Sequence, residues 1–306
     1  MLNFLYAFDR NYNTQAFVSI YSVLQNITEK INLYLILDET NENLNIPKKI
    51  INHKNINLII EKVININENL YNLDDAHVSR ATFYRLFLSD LYDDDLDFVY
   101  LDSDIICVND PSQIIKSQFL EIKKNNNFIG FADELYRHQY EEPFKRLNMS
   151  GNKYFNAGVM LVNLMNWNKN NLTEKSKLYI NQLQNKAKYW DQDILNSLID
   201  GSYLSLLPEL NYRTSTTDRK TEIDSLTFIH YSGKSKPWDI GGILEEFSVE
   251  YQSCFEELFG NNYHLVSKNR KNGINRLLNN IYALYRFKDL SFFKYVYQSL
   301  VAILKK

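Results

Sequence analysis

The stretch Phe98-Val99-Tyr100-Leu101-Asp102-Ser103-Asp104-Ile105-Ile106 is the most informative in this chain of 306 residues. Four consecutive apolar residues read as a fully buried strand of the kind found in parallel sheets. Two carboxylates at i and i+2 follow it directly. Such residues share a face of a strand, and just beyond its end both can converge on one hard cation. A carboxylate pair with open coordination positions suits Mg²⁺ or Mn²⁺ bridging substrate phosphates. The competing reading is a loop whose acids are solvated. Asp93, Asp94, Asp95 and Asp97 precede the same strand, at the wrong end of a parallel sheet for a site, and read as a solvated turn.

Outward from this stretch, short apolar runs alternate with helical patterns. Residues 4–8, 33–37 and 57–60 read as strands, and residues 14–25 as a helix with Phe17, Ile20, Tyr21 and Leu24 on one face. Residues 47–51 read as a helix fragment and residues 79–91 as a helix capped by Ser79. Farther on, residues 128–132 and 158–162 suggest strands, and residues 174–184 and 192–198 helices. The alternation predicts an α/β fold, a parallel sheet with helices on both faces and ligand groups at the carboxyl ends of its strands. With Gly 9 and Pro 5, nothing resembles a flexible linker before Asn261. One domain is expected over residues 1–262, followed by a helical tail over residues 263–306.

The net charge of −3 conceals an asymmetry. Residues 268–306 hold nine basic residues and one acidic residue, Asp289, while residues 1–267 hold 25 basic and 36 acidic ones. The tail therefore carries +8 and the body −11, a balance that argues against a nucleic-acid partner. Cys107 and Cys254 form no CxxC, so neither a disulfide scaffold nor structural zinc is expected, and a cytoplasmic setting is the natural reading. The apolar run at residues 1–8 ends at Asp9-Arg10, too short for a signal peptide, and no run of about 18 apolar residues occurs.

The segment YLDSD resembles the metal-binding motif of the nucleotide-sugar glycosyltransferases of family 8, a family similar to bacterial lipopolysaccharide galactosyl- and glucosyltransferases. Five further segments stand in the family's order: YAFDRNY from Tyr6, HVSRATFYR from His77, YFNAGVM from Tyr154, WDQDILN from Trp190 and HYSGKSKPW from His230. The resemblance covers about residues 3–240. It implies a single-domain GT-A fold, a Rossmann-like, mostly parallel sheet with flanking helices. The nucleotide-sugar half would span about residues 1–108. It also implies a retaining transferase that moves galactose or glucose from UDP-galactose or UDP-glucose to a saccharide acceptor.

Roles follow segment by segment. Ala7, Asp9, Asn11 and Tyr12 fall where the family binds uridine, with Asp9 and Asn11 able to read the uracil edge and Tyr12 to stack on the ring. Arg85 would hold the donor-sugar and diphosphate side with its planar fork. Asp102, with Ser103 beside it, and Asp104 would hold the metal. His230 would complete the set if residues 226–229 form a strand of the same sheet, and a mixed nitrogen–oxygen set shifts preference from Mg²⁺ towards Mn²⁺. Gly233 would let backbone approach the phosphates, and Lys236 would neutralise them. Asn156 and Asp133 are candidates for the sugar hydroxyls. At the face where a double displacement would need a carboxylate, the family carries a glutamine, here Gln192, and an amide is a poor nucleophile. Front-side attack is therefore expected, with Gln192 stabilising developing positive charge and Asp191 binding sugar hydroxyls.

In the tail, Ile274, Leu277, Leu278, Ile281, Leu284 and Tyr285 recur at helical spacing among Arg276, Arg286, Lys288 and Lys294. A basic, aromatic, amphipathic helix suits an anionic membrane surface, and docking on the domain is the alternative. Peripheral attachment to the cytoplasmic face of a membrane is the corresponding expectation. Three rivals remain: a haloacid dehalogenase-like phosphatase, an inactive transferase-like scaffold, and a binding module acting through its tail. In the phosphatases, however, DxD lies on the first strand rather than near residue 100.

Overall fold

The computed structural model describes residues 1–41, 44–64, 80–93, 96–125, 127, 129–183, 186–215, 222–283 and 291–305. His77, Val78, the Ser79 cap, Asp94, Asp95, Phe128, Gln184, Leu284, Tyr285, Arg286 and Lys288 from the sequence reading lie outside these residues.

The first half runs β1 (Leu2–Ala7), α1 (Asn13–Asn26), β2 (Ile31–Leu37), α2 (Lys48–Ile51), β3 (Ile56–Val63), α3 (Leu88–Leu91), β4 (Asp97–Leu101) and β5 (Ile105–Cys107). It continues with α4 (Ser112–Lys124), β6 (Ile129–Tyr136), α5 (Glu141–Arg146), β7 (Lys153–Asn163), α6 (Leu164–Lys169), α7 (Leu172–Gln182) and α8 (Trp190–Ile199). Short strands β8 (Leu204–Ser205), β9 (Tyr212–Arg213) and β10 (Phe228–His230) precede α9 (Ser248–Phe259), α10 (Arg270–Tyr282) and α11 (Phe292–Leu304).

Seven strands form the central sheet in the order β3-β2-β1-β4-β7-β6-β8. All its pairings are parallel except those of β7, which runs antiparallel between β4 and β6. The expected parallel sheet is thus mostly parallel, with one reversed strand where residues 158–162 suggested only a strand. Alternation along the strands divides the core. Phe4, Tyr6, Val99 and Leu101 face one apolar cluster with α1, α4 and α9, while Leu5, Phe98 and Tyr100 face a second with Trp167 and Ile194.

A second sheet, in the order β5-β10-β9, changes one expectation. His230 belongs to this small sheet, not to the central one. β10 pairs antiparallel with β5, setting His230 opposite Ile105, so the histidine reaches the acidic pair through the strand that follows it. Residues 102–104 are the joint at which the chain leaves one sheet and enters the other.

The helix expected over residues 79–91 is a 3-10 helix over Arg80–Phe87 that runs into the single turn of α3. Arg85 Nε donates to the Thr82 carbonyl (3.1 Å), an acceptor that an α-turn would have offered to residue 86. No helix among the described residues is long and apolar enough to cross a membrane. α10 and α11 pack on the rest of the chain through a third cluster, in which Leu277, Tyr295, Ala302 and Ile303 meet Ile240 and Ile243.

α8 begins at a buried carboxylate. Asp193 accepts from the Lys188 (2.7 Å) and Tyr189 (3.0 Å) amides, from Tyr154 OH (2.7 Å) and from Arg146 Nη1 (2.7 Å). Asp193→Ala strands all four donors, and loss of one partner from a buried ion pair costs about 3–5 kcal/mol. Urea unfolding should show a loss of that size; a loss below about 1 kcal/mol would mean the network is dispensable.

Candidate active site

Asp102 continues β4, so it shares the face of Tyr100 two residues earlier, and Tyr100 OH donates to Asp102 Oδ1 (2.9 Å). Arg85, 4% exposed, reaches the same oxygen through Nη2 (2.7 Å). It also meets Asp191 Oδ2 through Nε (3.0 Å), the Ala157 carbonyl through Nη1 (2.6 Å), and the Tyr100 ring 4.3 Å beneath it. Burial opposes charge on Arg85, but Asp102 and Asp191 outweigh it and hold its pKa above the ordinary value. Burial pushes Asp191 up to about 6 despite Arg85 and the Thr82 hydroxyl, which bonds its other oxygen.

Asp104 turns the other way, towards the small sheet. Lys236 Nζ donates to Asp104 Oδ2 (2.5 Å) and to the Tyr231 carbonyl (2.6 Å). Burial acts against the charge of Asp104, yet Lys236 holds its carboxyl well below the usual range. Asp102 is pushed upward by burial, against the pull of Arg85 and with the charge of Asp104 adding to the rise. The two carboxylates therefore have separate supports, one on each sheet.

Asp102, Asp104 and His230 each bring a ligand atom within 4.8 Å of the others. The orientation of the imidazole tests whether they fit a cation. Asn156 Oδ1 accepts from the Gly158 amide (3.0 Å) and from Asn211 Nδ2 (3.0 Å). Asn211 must then present its carbonyl oxygen to His230 Nδ1 (2.9 Å), so that nitrogen carries the proton. In the neutral ring, Nε2 is left with a lone pair facing Asp104 Oδ1 at 3.3 Å, and that buried oxygen has no hydrogen bond. Two acceptors held face to face beside a second carboxylate suit a divalent cation.

Gln192, the second residue of the α8 run Asp191-Gln192-Asp193, is held by four hydrogen bonds. Its Oε1 accepts from the Ala157 amide (3.0 Å) and Asn156 Nδ2 (3.2 Å), and its Nε2 donates to Tyr154 OH (3.1 Å) and Glu134 Oε2 (3.1 Å). Tyr12 lies within reach of the charges of Asp104, Asp9 and Asp102, which with burial raise its phenol to about 12. Asp9 caps the turn after β1 by accepting from the Asn11 amide (2.9 Å), beside Ala7 at the end of the strand. Ser103 lies between the two acids, and Gly233 takes a left-handed φ of 85° beyond His230.

Asp133 is not brought to this cluster. Its carboxylate accepts from the hydroxyls of Tyr203 (2.5 Å), Ser205 (3.1 Å) and Tyr136 (2.9 Å). Its neighbour Glu134 bonds Gln192 and pairs with Arg213, which lies opposite His230 in the small sheet. Glu134, Arg213, Asn211, Tyr154 and Thr82 were not singled out from sequence. The i, i+2 spacing of Tyr100 and Asp102 and the i, i+3 spacing of Thr82 and Arg85 were available signals. Asn211 offered none.

The model of glycosyl transferase family 8 matches residues 3–240. The chain belongs to this family. A lipopolysaccharide 1,2-glucosyltransferase of Escherichia coli K12 is 32% identical over 82% of this chain and 76% of its own length. A lipopolysaccharide 1,3-galactosyltransferase of Salmonella typhimurium is 28% identical over 53% of this chain and 50% of its own. Among solved structures, the galactosyltransferase LgtC in complex with donor and acceptor sugar analogues superposes with a TM-score of 0.67. That match covers 84% of this chain and 96% of LgtC at 22% identity, and shows a shared GT-A fold. Membership of family 8 removes the phosphatase reading.

Gly158 of this family 8 chain lies beneath the imidazole, where a Cβ would fall 2.4 Å from His230 Cε1. Gly158→Ala must therefore displace the ring, at about 1–3 kcal/mol of stability. If the three residues hold a divalent cation, it should also weaken that binding, measured by calorimetry with Mn²⁺ as the probe; wild-type affinity would show that the imidazole position is immaterial.

Proposed function

We propose that the chain is a retaining hexosyltransferase that moves galactose or glucose from a UDP-sugar to a saccharide acceptor in lipopolysaccharide or another surface glycan, with Mn²⁺ at Asp102, Asp104 and His230. The observation that carries this reading is the pair of facing acceptors, His230 Nε2 and Asp104 Oδ1, beside Asp102 at the carboxyl end of β4. The family membership and the names of the two curated relatives support the substrate class. Mg²⁺ is the alternative ion.

Held by Asp102, Asp104 and His230, Mn²⁺ would supply positive charge beside the diphosphate. The chain's own groups do the rest. Ala7, Asp9, Asn11 and Tyr12 receive the base, and Ser103 and Gly233 let the diphosphate lie close to backbone. Lys236 can turn from Asp104 to the departing phosphate. Arg85 and Asp191 form one rigid pair at the sugar's side, and Asn156 fixes Gln192. The acceptor hydroxyl bonds to the anomeric carbon on the face from which the phosphate oxygen departs, and its proton passes to a diphosphate oxygen. The configuration is retained without a covalent intermediate. Gln192 would stabilise the developing positive charge through its carbonyl, and a well-placed group of this kind is worth about 3–4 kcal/mol. Asp133 is the weakest of the proposed sugar contacts, since three hydroxyls already hold it.

The expected outcome for Asp102→Asn is a loss of at least about 100-fold in sugar transfer with Mn²⁺ present, from lost electrostatic stabilisation. Donor binding should weaken while thermal melting stays cooperative. Unchanged turnover would refute the metal assignment.

The tail supports peripheral attachment at the cytoplasmic face of a membrane. α11 buries Tyr295, Ser299, Ala302 and Ile303 and leaves Phe293, Tyr297, Leu300 and Leu304 exposed as a stripe. α10 exposes Ile274, Leu278 and Tyr282 in the same way. Among the described residues, α10 and α11 each have one docked face and one exposed apolar face, with exposed basic side chains beside it. Phe293→Ser with Leu304→Ser should abolish co-sedimentation with anionic vesicles while leaving transfer to a soluble saccharide unchanged. Equal sedimentation of variant and wild type would remove the membrane reading.

A further inference from the structure

Lys236 owes its place to more than its own side chain. It opens a short segment whose partners come largely from the tail. The buried Ile240 carbonyl accepts from Asn280 Nδ2 (2.6 Å) and Tyr295 OH (2.7 Å), so α10 and α11 each supply one donor to a single oxygen. Arg276 Nη1 stands 3.3 Å from Asp239 Oδ2. Ile240 and Ile243, 1% and 2% exposed, pack against Leu277, Tyr295, Ala302 and Ile303.

Little slack separates these anchors from the lysine. The Asp239 amide donates to the Lys236 carbonyl (2.9 Å), and the Ile243 amide to the Asp239 carbonyl (3.0 Å). Gly242 presses so closely that a Cβ there would lie 1.9 Å from the Lys236 carbonyl oxygen. A shift of Ile240 is therefore carried to the Lys236 backbone rather than absorbed between them. The segment has supports outside α10 and α11 as well. Gln252 donates to the Pro237 carbonyl (2.7 Å), and the Val266 amide to that of Trp238 (2.8 Å). These hold the middle of the segment, with Val266 also bridging to Asp239, and leave the Ile240 carbonyl to α10 and α11.

We propose that the C-terminal helices are part of the active-site scaffold, with Asn280 and Tyr295 acting as positioning residues that set Lys236 against Asp104 through the Ile240 carbonyl. The inference rests on the donor reading above in one respect, that Lys236 meets the diphosphate. Removal of residues 274–306 would therefore test more than membrane contact. Such a truncation uncovers Ile240 and Ile243 and takes both donors from a buried carbonyl, so it alters the site as well as any membrane contact.

The test uses the full chain carrying Tyr295→Phe and Asn280→Ala, which keeps the ring in its apolar cluster and removes both donors. Amide hydrogen exchange over residues 236–244 should quicken roughly tenfold or more, as the loss of two hydrogen bonds to one buried carbonyl requires. UDP binding with Mn²⁺, measured by calorimetry, should weaken by roughly the same factor. kcat/KM for the UDP-sugar should fall by about the same factor, with kcat sharing the loss because Lys236 meets the phosphate as it departs. Unchanged exchange overturns the proposal. Faster exchange with wild-type UDP affinity also overturns it, because the tail would then hold the segment without serving the site. If the double variant does not fold, Tyr295→Phe alone must give smaller changes in the same directions. A wild-type protein that fails to bind UDP sinks the donor reading instead, and the exchange comparison still decides whether the tail holds the lysine segment.

Discussion

Two carboxylates two residues apart, at the joint between two sheets and largely withdrawn from water, are the constraint around which this protein is arranged. Asp102 and Asp104 have side chains only 26% and 16% exposed, and like charges this close cannot both stay ionised without help. The chain supplies that help separately to each. Arg85, itself buried and shared with Asp191, neutralises Asp102 from the central sheet. Lys236 neutralises Asp104 from the segment beyond the small sheet. One oxygen, Asp104 Oδ1, receives no proton donor, because the histidine facing it has been turned by Asn211 to present a lone pair. The residual deficit of positive charge lies between the two carboxylates, where a cation and a diphosphate would complete the balance.

Much of the folding serves that arrangement. β5 has to follow the acidic pair at once, since pairing with β10 is what delivers His230. β7 has to run against its neighbours, since its reversed direction places Asn156, Ala157 and Gly158 at the carboxyl end of β4, where the Gly158 carbonyl accepts from the Asp102 amide (2.9 Å). Gly158 has to lack a side chain because the imidazole occupies the space. α8 begins where it does because Asp193 collects two free amides, a tyrosine and an arginine, and that fixes Gln192 one residue earlier.

What could be read in the sequence divides along a physical line. Strand and helix positions in the first half follow from local periodicity, and the observed β1, α1, β2, β3 and β4 lie within a few residues of the apolar runs that announce them. The acidic pair was legible because it follows a buried strand, and its partners Arg85, His230 and Lys236 because their segments resemble family 8. Strand direction was not legible: an apolar run looks the same forwards and backwards, so the reversal of β7 and the separate sheet of β10 are matters of long-range pairing. Nor were the separate partners of Asp133 and Glu134. Both are acids on one strand, and only the folded chain shows that Tyr136, Tyr203 and Ser205 hold the first while Gln192 and Arg213 hold the second. Asn211, which sets the tautomer of His230, lies in a short irregular stretch with no periodic signal at all.

The charge asymmetry takes on a definite meaning once the tail is seen in place. A tail of +8 beside a body of −11 could have been explained by simple attraction between the two. Attraction of that kind would bury basic side chains against acidic ones. The observed contact is of another sort. Leu277, Tyr295, Ala302 and Ile303 fill an apolar cluster with Ile240 and Ile243, and two neutral donors satisfy one carbonyl. Among the described residues, Arg276 with Asp239 is the one ion pair that joins tail and body, and Arg276 is still half exposed. The docking leaves Lys268, Arg270, Lys271, Lys294 and Lys305 exposed among the described residues, as are Phe293, Tyr297, Leu300 and Leu304. Charge that folding does not consume remains available to an anionic surface, and it lies on the outer side of the same helices whose inner side holds the segment of Lys236.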